Sequence, residues 1–282
     1  MHSITKFATL VFSTGFAYSL IEPYRLVIRE FDVAMQGLPK EAEGLRIAQL
    51  SDLHGSAIAS FGFLRRAILE CNRLQPDVVV LTGDFVSRRN SYAKITGARL
   101  WAKPVMEYAA RVGQVLAELR APEGVLAVPG NHDHSRGHCD AIMDVLQAAG
   151  VRPLVNASTT VRGVPFIGFD DLRGGRPALR QALHGIAATS AQVILSHNPR
   201  LLLQVAGRNC LMLAGHTHAG QVLLPLLPIR VKPSDVASTP QLKGWYRQSC
   251  AQLYVNSGLG SVHFPMRFRC PPEIAVFTLR AL

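Results

Sequence analysis

LRIAQLSDLH, residues 45–54, sets the terms on which the rest of the chain is read. Its first six residues form a short apolar run of strand character. The run gives out at Ser51-Asp52-Leu53-His54, where a carboxylate and an imidazole stand two residues apart. The same arrangement recurs downstream. DVVVLT (77–82), a β-branched run of the kind a strand buried on both faces requires, ends at Gly83-Asp84. GVLAV (124–128) ends at Pro129-Gly130-Asn131-His132-Asp133. Gln192 to Leu195 ends at Ser196-His197, and Leu211 to Ala214 ends at Gly215-His216-Thr217-His218. In open α/β sheets ligands bind outside the carboxyl ends of the strands. Metal-binding side chains placed at these strand ends therefore converge on one spot.

Between the strands lie helical patterns. Phe61 to Leu74 places Phe63, Leu64, Ala67, Ile68 and Cys71 on one face, and further helices are predicted over Pro104 to Leu119, Asp140 to Ala149 and Ala178 to Ile186. Leu26 to Met35, Val164 to Phe169, Leu253 to Val255 and Ile274 to Leu279 read as additional strands, with a turn at Gly37-Leu38-Pro39. The alternation argues α/β architecture. No repeat or linker divides the chain, so one catalytic domain, residues 26–282, is expected behind an N-terminal extension, residues 1–25.

Composition sets outer bounds. A hydrophobic fraction of 48% supplies ample core and excludes a disordered chain. The formal charge of +11 points to anionic partners, whether phosphorylated substrate, anionic lipid or nucleic acid. Nucleic acid is disfavoured, because the aromatic–basic interleaving of single-strand binders is missing. The five cysteines, Cys71, Cys139, Cys210, Cys250 and Cys270, form no CxxC pair and no regular framework, which fits a reducing compartment.

Carboxylate oxygens and imidazole nitrogens without thiolate suit a hydrolytic site for Mn, Fe or Zn rather than a structural zinc. One carboxylate can bridge two cations about 3.5–4 Å apart. The glycines beside Asp84, Asn131 and His216 are read as allowing sharp turns and close substrate approach. Taken singly, D-x-H occurs by chance and GNHD can be a plain turn. Their joint occurrence, each after a β-like run, is what carries the reading.

In this order the motifs D-x-H, GD, GNHD, H and GHxH, spanning Asp52 to His218, resemble those of the calcineurin-like metallophosphoesterase superfamily. The LRIAQLSDLH opening, GHTHAGQ (215–221) and the tail YVNSGLGSVHFPMRFRCPPEI (254–274) are most similar to its bacterial membrane- or wall-associated phosphodiesterases. That branch also resembles enzymes that split UDP-2,3-diacylglucosamine in lipid A biosynthesis. The resemblance implies a two-sheet β-sandwich flanked by helices. It implies two divalent metal ions, manganese first, with iron, zinc or magnesium as alternatives. Asp52, His54 and His218 would hold the first, Asn131, His197 and His216 the second, and Asp84 would bridge them. His132 would protonate the leaving oxygen or stabilise phosphoryl charge, with Asp133 supporting the site from behind. The reaction implied is hydrolysis of a phosphodiester or pyrophosphate bond, on a nucleotide-linked lipid such as UDP-2,3-diacylglucosamine, with a secreted or periplasmic general phosphodiesterase, or a nucleotide phosphodiesterase or nuclease, as alternatives. Many relatives carry Asp three residues after the bridging Asp, where it orients the catalytic histidine. Here that position is Ser87, so another group must orient His132.

Two regions are read for what surrounds the site. Phe85 to Lys103 and Ile229 to Arg247 are basic segments placed to rim a pocket for phosphate, with Phe61, Phe63, Leu64, Trp101, Trp245 and Phe264 as possible apolar walls. Phe7 to Ile21 is an uncharged run, shorter than the roughly 20 residues of a spanning helix. It is read as a membrane-associating segment, with a signal-peptide core, a marginal span or a buried helix as alternatives. Arg25 and Arg29 after the run, against Lys6 before it, favour a catalytic domain on the cytoplasmic face of the inner membrane, the periplasmic or secreted location being the alternative.

Overall fold

The computed structural model describes residues 13–87, 103–223, 230–231 and 241–282. Within them two six-stranded mixed sheets stack face to face. The first has the order β1 (Val27–Met35), β14 (Glu273–Ala281), β2 (Arg46–Leu50), β3 (Val78–Thr82), β4 (Val125–Val128) and β5 (Val151–Pro153). The second has the order β12 (Gly244–Gln248), β13 (Ala251–Val255), β9 (Cys210–Ala214), β8 (Gln192–Leu195), β7 (Val164–Gly168) and β6 (Ala157–Val161). β2 to β5 run parallel, as do β7, β8, β9 and β13. A small ribbon pairs β10 (Val222–Leu223) with β11 (Arg230–Val231).

The continuous apolar runs follow from burial on both faces. In β3, Val78 and Val80 point into the cluster between the sheets, while Val79 and Leu81 point outward against helices. Those helices are α1 (Phe61–Arg73), α2 (Val105–Leu116) and α3 (Cys139–Ala148), each laying one apolar face on the first sheet. Ser60 caps α1 by accepting from the Phe63 amide at 3.3 Å. A third cluster packs short helices, Leu179–Ala182 and Leu202–Val205, on the outer face of the second sheet. The result is the α/β sandwich expected. The helix predicted over residues 178–186 shrinks to four residues, and β5, β6 and β12 are additions to the reading.

Residues 13–21 are helical and run into a 3-10 turn, Glu22–Tyr24. The segment is fastened by its backbone and its smaller side chains. The Arg267 amide donates to Ser19 O at 2.9 Å, the Arg269 amide donates to Glu22 Oε2 at 2.8 Å, and the Tyr18 ring meets Phe268 edge-on at 5.9 Å. Phe16, Leu20 and Ile21 face outward, Ile21 with 63% of its surface exposed. No helix among the described residues is long and apolar enough to cross a membrane, and residues 7–12 of the apolar run lie outside them. Cys71, Cys139, Cys210 and Cys270 are buried and free. Burial pushes the Cys71 and Cys210 thiols up to about 12, as for inert core residues.

Phe277 on β14 is wholly buried between the sheets, stacked on Phe31 at 5.7 Å and edge-on to Tyr254 at 5.1 Å. Phe277→Ala is expected to destabilise the chain by roughly 3–5 kcal/mol. Urea denaturation at unchanged m-value checks this. A loss below about 1 kcal/mol would show that this contact does not hold the sheets together.

Candidate metal centre

The carboxyl ends of β2, β3 and β4 from one sheet, and of β8 and β9 from the other, open at a common edge. Side chains stitch the two sheets there. Gln49 Nε2 donates to Ala214 O at 2.9 Å and to Thr82 Oγ1 at 3.1 Å. His197 Nδ1 lies 2.8 Å from Thr82 O. At this edge Asp52, His54, Asp84, His216 and His218 take left-handed backbone conformations, with φ between 49° and 73°. Such positions normally favour glycine, and each costs on the order of 1–3 kcal/mol for other residues. Here the side chain itself is needed, so the packed strand ends must impose the turn.

Gly83 turns the chain sharply, at φ 88°, as expected, while Gly130 and Gly215 serve a different purpose. A Cβ on Gly130 would come within 2.2 Å of Asp84 Oδ1, and one on Gly215 within 1.9 Å of Ser51 Oγ and 2.3 Å of Asp52 Oδ2. Protein carboxylates, rather than substrate, occupy the space that the missing side chains leave.

The side chains gather into two groups. In one, His218 Nε2 lies 3.3 Å from Asp52 Oδ1 and 2.9 Å from His54 Nε2. In the other, His197 Nε2 lies 3.2 Å from Asp84 Oδ2, 3.2 Å from Asn131 Oδ1 and 3.1 Å from His216 Nδ1. Asp84 belongs to both, since its Oδ2 is also 3.5 Å from His54 Nε2. His132 joins His54 and Asp84, its ring edge-on to His54 at 4.8 Å and its amide donating to Asp84 Oδ1 at 2.7 Å. Asp52, His54, Asp84, Asn131, His197, His216 and His218, with His132, are thus brought to one place.

Hydrogen-bond chemistry tests whether a cation fits. Thr82 O can only accept, so His197 Nδ1 carries a proton and Nε2 is the ring atom turned to the cluster. Around Nε2 stand two acceptor oxygens and another ring nitrogen at 3.1–3.2 Å, and although burial opposes it the Asp84 carboxylate holds the ring well above the ordinary histidine range, so the spot favours positive charge, proton or cation. Burial would raise the Asp52 and Asp84 carboxyls. The neighbouring histidines, His218 foremost for Asp52 and His197 for Asp84, outweigh it and hold both well below the usual carboxylate range. Burial, helped by His197, pushes His216 down to about 4, so its ring is neutral and available as a ligand. Hard carboxylate oxygens with imidazole nitrogens suit two divalent cations.

Asp133 stands behind the site. Its Oδ2 accepts from the Asp84 and Gly130 amides at 2.9 and 2.8 Å, and its Oδ1 from the Phe85 and Val86 amides at 2.9 and 3.2 Å. Ser87 Oγ meets His54 Nδ1 at 3.0 Å, so this hydroxyl steadies the ring of His54. Of the basic segments, Arg88, Arg89, Lys94, Arg99, Trp101 and Lys232 lie outside the described residues, and Lys103 pairs with Glu107. Trp245 packs with Phe31 and Phe277 at the sheet edge and is no part of the site.

Two features escaped the sequence reading. Asp170 and Asp171 follow β7 directly, a sixth strand end of the same kind. Asp170 Oδ1 lies 2.7 Å from His134 Nε2, while the buried Asp171 uses Oδ2 to accept from the Arg173 and Gly174 amides. Arg267, fully buried, donates to the carbonyls of Ser257, Gly258, Gly260 and Cys270. The strand-end rule would have found the aspartates. Nothing local marks Arg267.

The sequence model of the calcineurin-like phosphoesterase family matches residues 45–220. The Bacillus subtilis metallophosphoesterase YkuE is 30% identical over 95% of this chain and 90% of its own. The UDP-2,3-diacylglucosamine pyrophosphatase LpxG of Chlamydia trachomatis is 28% identical over 85% of each chain. A transmembrane protein with a metallophosphoesterase domain from Danio rerio is 27% identical over 98% of this chain, which spans 62% of that protein's length.

Asp84→Ala removes the carboxylate common to both groups. Metal analysis of the purified variant after equilibration with manganese should find at most one ion per chain where the parent holds two. A variant that retains two would remove Asp84 from its bridging position.

Proposed function

Because the chain belongs to the calcineurin-like phosphoesterase family, and is therefore a phosphoester hydrolase, we propose that it cleaves the phosphodiester or pyrophosphate bond of a nucleotide-linked acyl sugar such as UDP-2,3-diacylglucosamine. One observation carries the chemistry: a single buried carboxylate, Asp84, faces imidazole nitrogens from both sheets, His54 at 3.5 Å and His197 at 3.2 Å. Asp52, His54 and His218 would hold one cation, Asn131, His197 and His216 the other, and Asp84 would serve both, with manganese the first choice of metal. Such a pair supplies Lewis-acid polarisation of the phosphoryl group and a water acidic enough to react at neutral pH.

The protein's own contribution is placement and proton transfer. His132 is 8% exposed, against 4% for His216, 1% for His218 and none for His54 and His197, so it is the histidine of the cluster most open to incoming substrate. Its amide bond to Asp84 Oδ1 and the Asp133 bond to Gly130 fix the turn that carries it. From there His132 would give a proton to the departing oxygen.

Support for the lipid-linked substrate comes from three directions: the name of the Chlamydia relative, the charge of +11, and the outward Phe16, Leu20 and Ile21 beside Arg25. An apolar face with adjacent basic residues combines the two weak signals that hold a protein at an anionic bilayer. On this reading the enzyme works on the cytoplasmic face of the membrane.

His132→Ala should lower turnover of substrates with poor leaving groups by about 10²–10⁴-fold, with metal content unchanged. A nitrophenolate leaving group needs no proton and should lose far less. An equal loss on both would assign His132 to phosphoryl charge stabilisation. The substrate itself is tested by comparing UDP-2,3-diacylglucosamine with simple soluble diesters. Turnover of the diesters alone would leave a general phosphodiesterase.

A further inference from the structure

We infer that an apolar groove beside the metal centre takes an alkyl chain of the substrate, an assignment that rests on the lipid-linked reading above. The groove is open to solvent, spans about 350 Å³ with that open space counted and about 30 Å³ within reach of a water-sized sphere, and is walled by Pro23, Tyr24, Leu53, Ile58, Phe63 and Leu259. Three parts of the chain build it: the turn that ends the N-terminal helical segment, the start of α1, and the loop after β13.

Its inner end is the backbone of the metal-bearing turn. Leu53 stands between Asp52 and His54, while the Leu259 amide donates to Ser51 O at 2.9 Å and the Gly260 amide to Asp52 O at 2.7 Å. At the mouth the Tyr24 ring stands edge-on to Phe63 at 6.0 Å, and the Arg66 guanidinium lies 5.2 Å over the Phe63 ring while bonding Tyr24 O. Beyond Tyr24 the outward face of Ile21, Leu20 and Phe16 continues the apolar surface away from the site.

The chemistry of the lining selects the occupant. A phosphate, sugar or uracil needs hydrogen-bond partners when it leaves water. The lining offers few: the Ser60 hydroxyl is already committed to capping α1 and the Gly260 amide to Asp52 O, which leaves the Ser261 hydroxyl. A hydrocarbon needs no partners and gains from burial in proportion to the area removed from water. An acyl chain drawn from a bilayer along Phe16, Leu20 and Ile21 would reach this groove and end against Leu53, on the turn that carries Asp52 and His54. Arg66 at the mouth and Arg25 nearby match the anionic headgroups around it.

The test uses n-alkyl phosphates from butyl to decyl, kept below micelle-forming concentrations, as competitive inhibitors of the hydrolysis of bis(4-nitrophenyl) phosphate. Full burial of one methylene would tighten binding about fourfold. A partly open groove should still give a tenfold or larger gain from butyl to decyl. Ala59→Phe, which fills the groove, and Ile58→Ser, which makes its wall polar, should each flatten the series. The readout is the butyl-to-decyl ratio within each protein, so a change in basal turnover does not enter it. A flat series in the parent, or an equally steep one in both variants, overturns the assignment. A steep series in a parent that ignores UDP-2,3-diacylglucosamine would support the groove and sink the substrate reading. A flat series alongside efficient turnover of that substrate would sink the groove alone.

Discussion

The Nε2 of His197 is the point from which the rest of the structure follows. The ring donates Nδ1–H to Thr82 O, on the other sheet, and turns Nε2 to Asp84, Asn131 and His216 at about 3.1–3.2 Å. Buried acceptors at that separation repel one another unless positive charge lies between them. A cation placed among them turns each repulsion into attraction, which is why charged and polar groups this deeply buried are tolerable at all. The sandwich supplies the rigidity that the arrangement requires. With strands of both sheets ending at one edge, and Gln49 of β2 bonded to β3 and to β9, the donors are held at these separations.

A layer of buried polar groups behind the donors turns that rigidity into accurate placement. Asp133 gathers four backbone amides from two turns and so fixes Asp84 relative to Asn131. Burial and the nearby Asp84 charge push its carboxyl up to about 7 despite those amides, so the placement of Asp84 is obtained at an electrostatic cost. Arg267 does comparable work on the far side. It gathers the carbonyls of the 257–260 loop, and that loop lies so close that a Cβ on Gly258 would come within 2.7 Å of Asp52. Its own amide holds Ser19 O, so the N-terminal helical segment and the metal edge share one support.

The sequence yielded the parts whose physics is local. Strands buried on both faces must be continuously apolar, so β2, β3, β4, β8 and β9 were legible, and the polar residue at each end stood out against them. β6 and β12 were not. They are sheet edges whose residues alternate between cover and solvent, and ASTTV and GWYRQ carry no hydrophobic run. Asp170-Asp171 obeyed the strand-end rule and was passed over because no familiar motif marks it. The glycines were recognised as necessary, but their purpose depends on which side chain lies opposite, and only the fold decides that. The same holds for Ser87, whose partner His54 is 33 residues away in sequence.

Because the donors are almost wholly buried and come from the shared motifs, selectivity among phosphoesters has to arise from what borders them. The two borders differ in character. Beside Asp52 and His54 the wall is Leu53, Ile58, Phe63 and Leu259, a surface that rewards hydrocarbon. Beside Asn131 lies the loop Asp170 to Arg176. It packs so closely that a Cβ on Gly174 would come within 3.2 Å of the Asn131 Cα, and it carries the exposed Arg173 and Arg176. Asp84 lies between the two. On the proposed reading, a substrate apolar at one end and anionic at the other satisfies both borders in one orientation only, with its phosphoryl group toward the metal ligands between them. A symmetric small diester gains nothing from either border and has no such preference. On the proposed reading, the contrast between the two sides orients the lipid-linked substrate before any chemistry begins.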